Sequence, residues 1–440
     1  MKFCAPFILI SLFCLKGIAQ QSYSLEDCFA AAQSNNIALQ KSKNDIQNSY
    51  IDKKAATYNL LPAVYANAEH IFSSGKNIDP VTNNFVRENF SGGEFDVTLQ
   101  LNIFSGFSAF HAIKSSLYKI RADEQAYKEA ELETFAAISV AYAKVLYSRE
   151  QIATIENNYQ HTQNELDVVQ EKINVGKLSK SDYYTINTRC KSEQADIVEA
   201  QNNLLATINE LKYLIGINNN VSFTVKDIDS NEISTIAHTA FDVAEVLEKV
   251  LKHHPALLES MYNASAAAMK VKTAKGSLIP TMSLTGNVFS NYNLNDRNLS
   301  GSHIRLNEQL NNNFGKTVGV LLQVPLFNKY QNRAAVEKEK INLANAKLTM
   351  QEVENEIVKN TQQLLSDFIA AKQKYLLQAE SLQQGELAYN AFEERHKLGY
   401  ISSLELMLAK DQLYAQQVKA TTVKYDLYFK YKLIELLLNS

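Results

Sequence analysis

Few residues in this 440-residue chain have the types and spacing that chemistry needs. His253 and His254 stand side by side before Pro255 and could begin a metal site, but no third ligand lies nearby. The other histidines (His70, His111, His161, His238, His303, His396) are scattered, whereas a zinc-type centre needs several converging ligands, so packing or surface roles are expected. Cys28 and Cys190 match neither a disulfide framework nor a metal spacing and read as buried thiols. There is no phosphate-binding glycine loop, nucleophile elbow or metalloprotease helix, so neither an enzyme nor a cofactor is expected. The net charge of −3, without a clustered Lys/Arg stripe, offers no field for nucleic acid. What remains is a repeated spacing: Ser179 with Asp182, and Ser402 with Glu405. A hydroxyl three residues before an acid is the arrangement of a capping box, in which each side chain serves the other's backbone N–H. Each pair follows a glycine, Gly176 or Gly399, the residue that ends a helix in the left-handed conformation without steric cost.

Those two turns belong to a chain written twice. Pro62 pairs with Pro280 at an offset of 218, whereas Phe104 pairs with Phe327 and Gly176 with Gly399 at 223, so the difference of 5 falls in a strand-loop-strand region. Each half opens with a capped helix, at Ser24–Asp27 and Asp242–Glu245, which is expected to run on to the proline. After the proline the period becomes two. Phe95, Val97, Leu99, Leu101 and Ile103 alternate with Asp96, Thr98, Gln100 and Asn102. Val318, Val320, Leu322, Val324 and Leu326 form a second apolar face, opposed by Thr317, Gly319, Gln323 and Pro325, with Leu321 breaking the polar side. Weaker alternation after each proline adds Val64, Met282, Leu284 and Val288 as apolar-facing candidates, making four strands. Ser74–Gly93 and Asn291–Asn313 read as polar loops. Helical period then returns for nearly 70 residues up to each glycine, about 100 Å of helix. Returning helices are expected over Lys180–Ile215 and Ser403–Leu438.

With only 14 Gly and 6 Pro, the chain has too few turns for a sandwich. The alternating strands fit either a half-buried soluble sheet or an outer-membrane strand; export, two hairpins with long polar loops on one side and helices leaving only from the other make the expected fold class mainly α with a membrane β-barrel. Lys2, the apolar run Phe3–Leu15 and the small residues Gly17 and Ala19 read as a secretory signal, residues 1–20. A first repeat follows over 21–216, a linker or equatorial segment over 217–240, and a second repeat over 241–440. No later segment has the roughly 20 apolar residues of a spanning helix, so any membrane contact must come through strands, for which about 9–11 residues suffice. Four strands in lipid would leave two unpaired edges, so several chains must close one barrel. Three would give twelve strands, although two or four also satisfy this argument.

The duplicated order of helix, proline, strand, loop and strand, ending in Asn102-Ile-Phe-Ser-Gly106 or Val324-Pro-Leu-Phe-Asn328, resembles the TolC-like outer-membrane efflux family over essentially the whole mature chain. The glycine turns Asn174–Asp182 and Lys397–Glu405 carry the resemblance most specifically. It implies a homotrimer in outer-membrane lipid, with a twelve-stranded barrel and a helical tunnel crossing the periplasm. Such a duct serves as the passive exit of a tripartite exporter. An inner-membrane transporter supplies energy, and a periplasmic adaptor (membrane fusion protein) docks at the tips, here around Gly176, Leu178, Ser179, Gly399, Ile401 and Ser402. The resemblance also implies that the acids six after the glycines, Asp182 and Glu405, can constrict the entrance; capping accounts for the same spacing, and both readings stand. Leu408 and Ile401 depart from the family's acidic and basic pattern, which puts a salt-bridge lock in doubt. A soluble periplasmic coiled-coil adaptor or scaffold is the alternative. Nothing in the sequence selects between small-molecule and polypeptide cargo.

Overall fold

Residues 22–78, 84–218, 222–298 and 300–439 are described by a computed structural model; the expected signal segment 1–20 lies outside them, as do 219–221 of the 217–240 segment. The first half contains β1 (Ser22–Tyr23), α1 (Leu25–Asn35), α2 (Ile37–Tyr58), β2 (Ala63–Ile78), β3 (Phe85–Ser105), α3 (Ser108–Asn174) and α4 (Lys180–Ile215). Then come β4 (Thr224–Val225), α5 (Ser230–His238), α6 (Val243–His253), α7 (Pro255–Gly276), β5 (Thr281–Asn293), α8 (Leu306–Asn312), β6 (Gly315–Gln323), α9 (Gln331–Lys397) and α10 (Ser403–Asn439). The duplication is kept to the residue: α3 and α9 are both 67 residues long and are displaced by 223 at either end.

The opening helix of each half does not run unbroken to its proline. It breaks at Asn36 in one and at His254 in the other, again 218 residues apart. Asn36 turns its side chain to cap the N–H groups of Ala38 and Leu39, at 2.8 and 3.2 Å. At His254 the cause is Pro255, which disfavours helical geometry in the preceding residue. The two starting caps also differ. Ser24 and Asp27 form the reciprocal box, whereas Asp242 accepts from Ala244 and Glu245 N–H while the Glu245 carboxylate goes to Lys249.

Two compact units emerge. One comprises the described residues up to Lys41, Lys128–His254 and the described residues from Ile357; the other comprises Ser42–Tyr127 and Pro255–Glu356. In the first, α1 buries Leu25, Cys28 and Ala32 against Ile138, Tyr142, Val145 and Leu146 of α3 and Leu211 and Ile215 of α4. The Tyr142 hydroxyl donates to the carbonyls of Lys226 (2.6 Å) and Tyr23 (3.2 Å), beside the parallel pairing of β1 with β4. So the 217–240 segment carries a strand and a helix rather than a plain linker. Cys28 and Cys190 are buried free thiols, and burial pushes the Cys28 thiol up to about 12.

The second unit holds an antiparallel sheet in the order β2-β3-β5-β6, so the hairpins of the two halves join through β3 and β5. Its strands depart from the expected bounds in both directions. Most of Ser74–Gly93 is not loop but the far end of the first hairpin, paired from Ser74↔Asn89 to Ile78↔Phe85. Asn291–Asn293 likewise extend β5, and α8 occupies part of the remaining segment. In the other direction, β6 stops at Gln323, ahead of Pro325, which has no N–H to donate to a ladder. Val324 and Leu326 therefore lie beyond the strand.

The helix-tip turns and the two-faced sheet

Both tips are built from the same backbone bonds. Gly176 (φ 76°) donates its N–H to Ile173 (2.9 Å) and Lys177 to Lys172 (2.8 Å); Gly399 (φ 79°) donates to His396 (2.9 Å) and Tyr400 to Arg395 (2.9 Å). This crossed pair of bonds satisfies helix-end carbonyls and requires a left-handed residue at the glycine. The expected capping boxes close the following helices. Ser179 N–H donates to Asp182 Oδ2 (3.0 Å) and Asp182 N–H to Ser179 Oγ (3.4 Å); Ser402 N–H donates to Glu405 Oε2 (2.9 Å) and Glu405 N–H to Ser402 Oγ (3.3 Å). The backbone N–H and hydroxyl of Ser402 hold the Glu405 carboxyl below the usual carboxylate range. Gly176, Ser179, Asp182, Gly399, Ser402 and Glu405 are exposed; Leu178 is half-buried and Ile401 buried. Ile401 thus packs from beneath, and the apolar groups that the second tip presents are Leu398, Tyr400, Leu404 and Leu408. Sequence reading did not single out Leu398, Tyr400 and Leu404, although apolar side chains beside a helix-ending glycine are a readable signal.

Sequence spacing gave no hint of a polar node further along the same helices. Arg189 of α4 donates from Nε to Glu193 Oε1 (2.9 Å) and from Nη1 to Asp411 Oδ2 of α10 (2.6 Å), with a second bond from Nη2 to Oδ1. Asn158 of α3 donates to Glu193 Oε1 (2.8 Å), while Lys410 donates to the Asn158 carbonyl (2.7 Å) and Thr162 Oγ1 (2.8 Å). Burial brings the Lys410 ammonium down to about 8. The two histidines singled out from the sequence separate: His253 is exposed, whereas His254 is buried with Nδ1 3.4 Å from Glu129, and burial lowers its pKa. Among the described residues no group of three His, Cys, Asp or Glu converges as metal ligands would.

In the sheet, the ladders put each strand's alternate residues on common faces. Val64↔Leu99, Ala66↔Val97 and Val97↔Val288 lie on one side, continued by Leu284↔Val320 and Gly286↔Val318. Asn67↔Asp96, Thr98↔Asn287 and Thr285↔Gly319 lie on the other. Leu321 pairs with Ser283 on that polar side. The apolar face is uncovered, with Val318 81% and Phe72 79% exposed. An uncovered apolar sheet face of this breadth calls for lipid or another protein surface. Among the described residues no helix is long and apolar enough to cross a membrane.

The sequence profile of the outer membrane efflux protein family matches residues 29–217 and again 246–439, one match per half. The outer membrane efflux protein BepC of Brucella suis is 21% identical over 426 residues, which cover 96% of this chain and 86% of BepC. The outer membrane protein TolC of Escherichia coli is 19% identical, covering 95% of this chain and 83% of TolC. The outer membrane protein VceC of Vibrio cholerae superimposes with a TM-score of 0.78 at 15% identity, covering 94% of this chain and 95% of VceC. With the duplicated helices, the glycine tips and the two-faced sheet in place, the chain belongs to the outer membrane efflux protein family, and it is an exit channel of the outer membrane rather than a soluble periplasmic scaffold.

Proposed function

We propose that this chain is the outer-membrane duct of a tripartite exporter, a homotrimer whose three four-stranded sheets close one twelve-stranded barrel. The observation that carries this reading is the sheet itself: edge strands β2 and β6 each leave one side without a partner among the described residues, and one face is apolar. An open edge is not tolerated in hydrocarbon, because every unpaired N–H and C=O there costs several kcal/mol. Pairing β6 of one copy with β2 of the next removes all edges at once. The polar face then lines a water-filled passage, and conduction through it is passive.

A periplasmic adaptor docks on the tip turns, contacting Gly176, Leu178, Ser179, Gly399 and Ser402, with Ile401 supporting the second turn from beneath; an inner-membrane transporter provides the energy. Asp182 and Glu405 cap the returning helices, and three copies of Glu405 around a narrow entrance would also favour cations, as carboxylate rings do. Purification from outer membranes in mild detergent, with oligomeric mass and planar-bilayer conductance measured together, tests the assembly. A heat-sensitive trimer that opens ion-conducting pores supports it; a monomer released by carbonate without detergent, and silent in the bilayer, overturns it. Unchanged conductance and cation preference in Glu405→Ala would leave Glu405 as a cap alone.

A further inference from the structure

The charges of the sheet are sorted by face. Among the described side chains of the strands, the polar face carries Glu69, Glu94 and Asp96 and no Lys or Arg, and the apolar face carries Lys76, Arg87 and Lys316 and no carboxylate. Lys76 and Arg87 are direct partners in the β2–β3 ladder, both exposed, at the end of the sheet opposite the one where β2 follows α2 and β3 leads into α3. Directly opposed like charges destabilise an antiparallel pair. Glu69 opposes Glu94 in the same way, but that face is the one read as lining water, where the repulsion is screened. The cationic pair stands on the lipid side, where screening is weaker and an anion between the two groups would remove the cost.

Below this pair lies the boundary such an anion would mark. His70, Gly93 and Tyr292 lie in one row across three strands. The absent side chain of Gly93 lets His70 Nδ1 and Tyr292 Oη share a 2.7 Å hydrogen bond over the middle strand. Phe72 sits edge-on to His70 and Phe95 stacks on Tyr292, so polar-tipped and aromatic rings collect at one level, as they do at a bilayer interface. Lys76 lies four residues past Phe72 in β2. At about 3.3 Å per residue and a tilt of about 40°, that is about 10 Å further along the membrane normal. Long basic side chains at that depth reach back to headgroup phosphates. The Lys76 ammonium is already held 4.7 Å from the centre of the Phe85 ring.

We infer that Lys76 and Arg87, above the His70–Tyr292 aromatic row, form a binding site for a phosphate-bearing lipid headgroup of the outer leaflet. This inference rests on the barrel reading above. The test compares the full-length channel with Lys76→Gln/Arg87→Gln in detergent, counting by native mass spectrometry the lipid A retained per oligomer, beside dephosphorylated lipid A and inorganic phosphate. Retention of lipid A is expected to fall about 25-fold in the double variant, since each basic group near an anionic surface contributes roughly fivefold. Equal, weak retention of the dephosphorylated lipid by both proteins, and no displacement by inorganic phosphate, complete the expected result. Equal retention of lipid A by variant and wild type overturns the site. So does undiminished binding of the dephosphorylated lipid, which would leave only apolar contact, or full displacement by inorganic phosphate, which would make it a free-anion site. Oligomeric mass and conductance are read on the same samples: normal channels with unchanged lipid retention sink this inference alone, whereas absence of channels in the wild type sinks the barrel reading with it.

Discussion

Asn158 with Glu193 in the first repeat and Ser381 with Gln416 in the second occupy equivalent positions, each pair 223 residues from its counterpart, and each joins its long helix to its returning helix by one hydrogen bond, of 2.8 and 3.1 Å. The backbone has been duplicated to the residue, but the charge has not. Gln416 is also served by the amide of Gln378 (2.7 Å), and neutral amides need no counter-ion. Glu193 needs one: Arg189 supplies it and goes on to bind Asp411, while the other Glu193 oxygen, Oε2, is buried without a hydrogen-bond partner. The position equivalent to Arg189 is Gln412, and those equivalent to Lys410 and Asp411 are Asn187 and Thr188. One scaffold can therefore join its helix pairs either by amides or by a charged node that also ties the two repeats together.

The sharpest break between the repeats should come at the turn from strand to long helix. Gly106 and Phe107 (φ 62° and 65°) match Lys329 and Tyr330 (φ 55° and 68°), so both turns use two left-handed residues. A Cβ on Gly106 would lie 2.3 Å from the Gly276 carbonyl oxygen, so Gly106→Ala is expected to cost about 3 kcal/mol or more, as overpacking and backbone strain add. Lys329→Gly should instead stabilise by about 1 kcal/mol, because it relieves a left-handed residue. The heat-dissociation midpoint of the purified oligomer reads both, and equal responses in the two repeats would refute the distinction.

Arg189→Ala is expected to cost about 3 kcal/mol by leaving two carboxylates without their cation, whereas Gln412→Ala should stay within about 0.5 kcal/mol. An effect that builds only with pH follows from Lys410. Its folded pKa of about 8 lies below the ordinary lysine value, so between about pH 8 and about pH 10.5 the unfolded chain holds the extra proton and stability rises with pH. The stability difference between wild type and Lys410→Met should accordingly move in favour of the wild type across that window. Glu193→Gln, which removes a carboxylate that supports the ammonium, should make the window open at lower pH. Thermal melts from pH 7 to pH 11 test both, and a difference independent of pH would show that Lys410 is not held down.

The tips should respond most weakly and most alike. Ser179→Ala and Ser402→Ala are each expected to cost about 1 kcal/mol as lost N-caps. In the second tip the Glu405 pKa is lowered, so its contribution is present above the ordinary carboxylate range and is lost as pH falls through the depressed value. Acid melts of Ser402→Ala should be flatter than those of the wild type over that range; identical profiles would remove the reciprocal bond as the cause.

From sequence alone, the duplication, the glycine tips and their capping boxes could be placed to the residue, because helix ends are decided by groups three to five positions apart. Apolar alternation marked Phe95–Ile103 and Val318–Leu322 for the same reason. Local cues could also mislead. Ser74–Gly93 has no apolar period, yet most of it is strand, because each of its residues from Ser74 to Ile78 finds a ladder partner between Phe85 and Asn89 and the pairing outweighs composition. His254 read as helical although the following proline was in view. Only the tertiary structure could join Arg189 to Asp411 across 222 positions, bring His70 to Tyr292 over Gly93, or sort Lys76 and Arg87 from Glu69 and Glu94 by face. Those relations depend on strand register and on which helix faces meet, and a shift of one residue in a ladder would exchange every side chain between lipid and water.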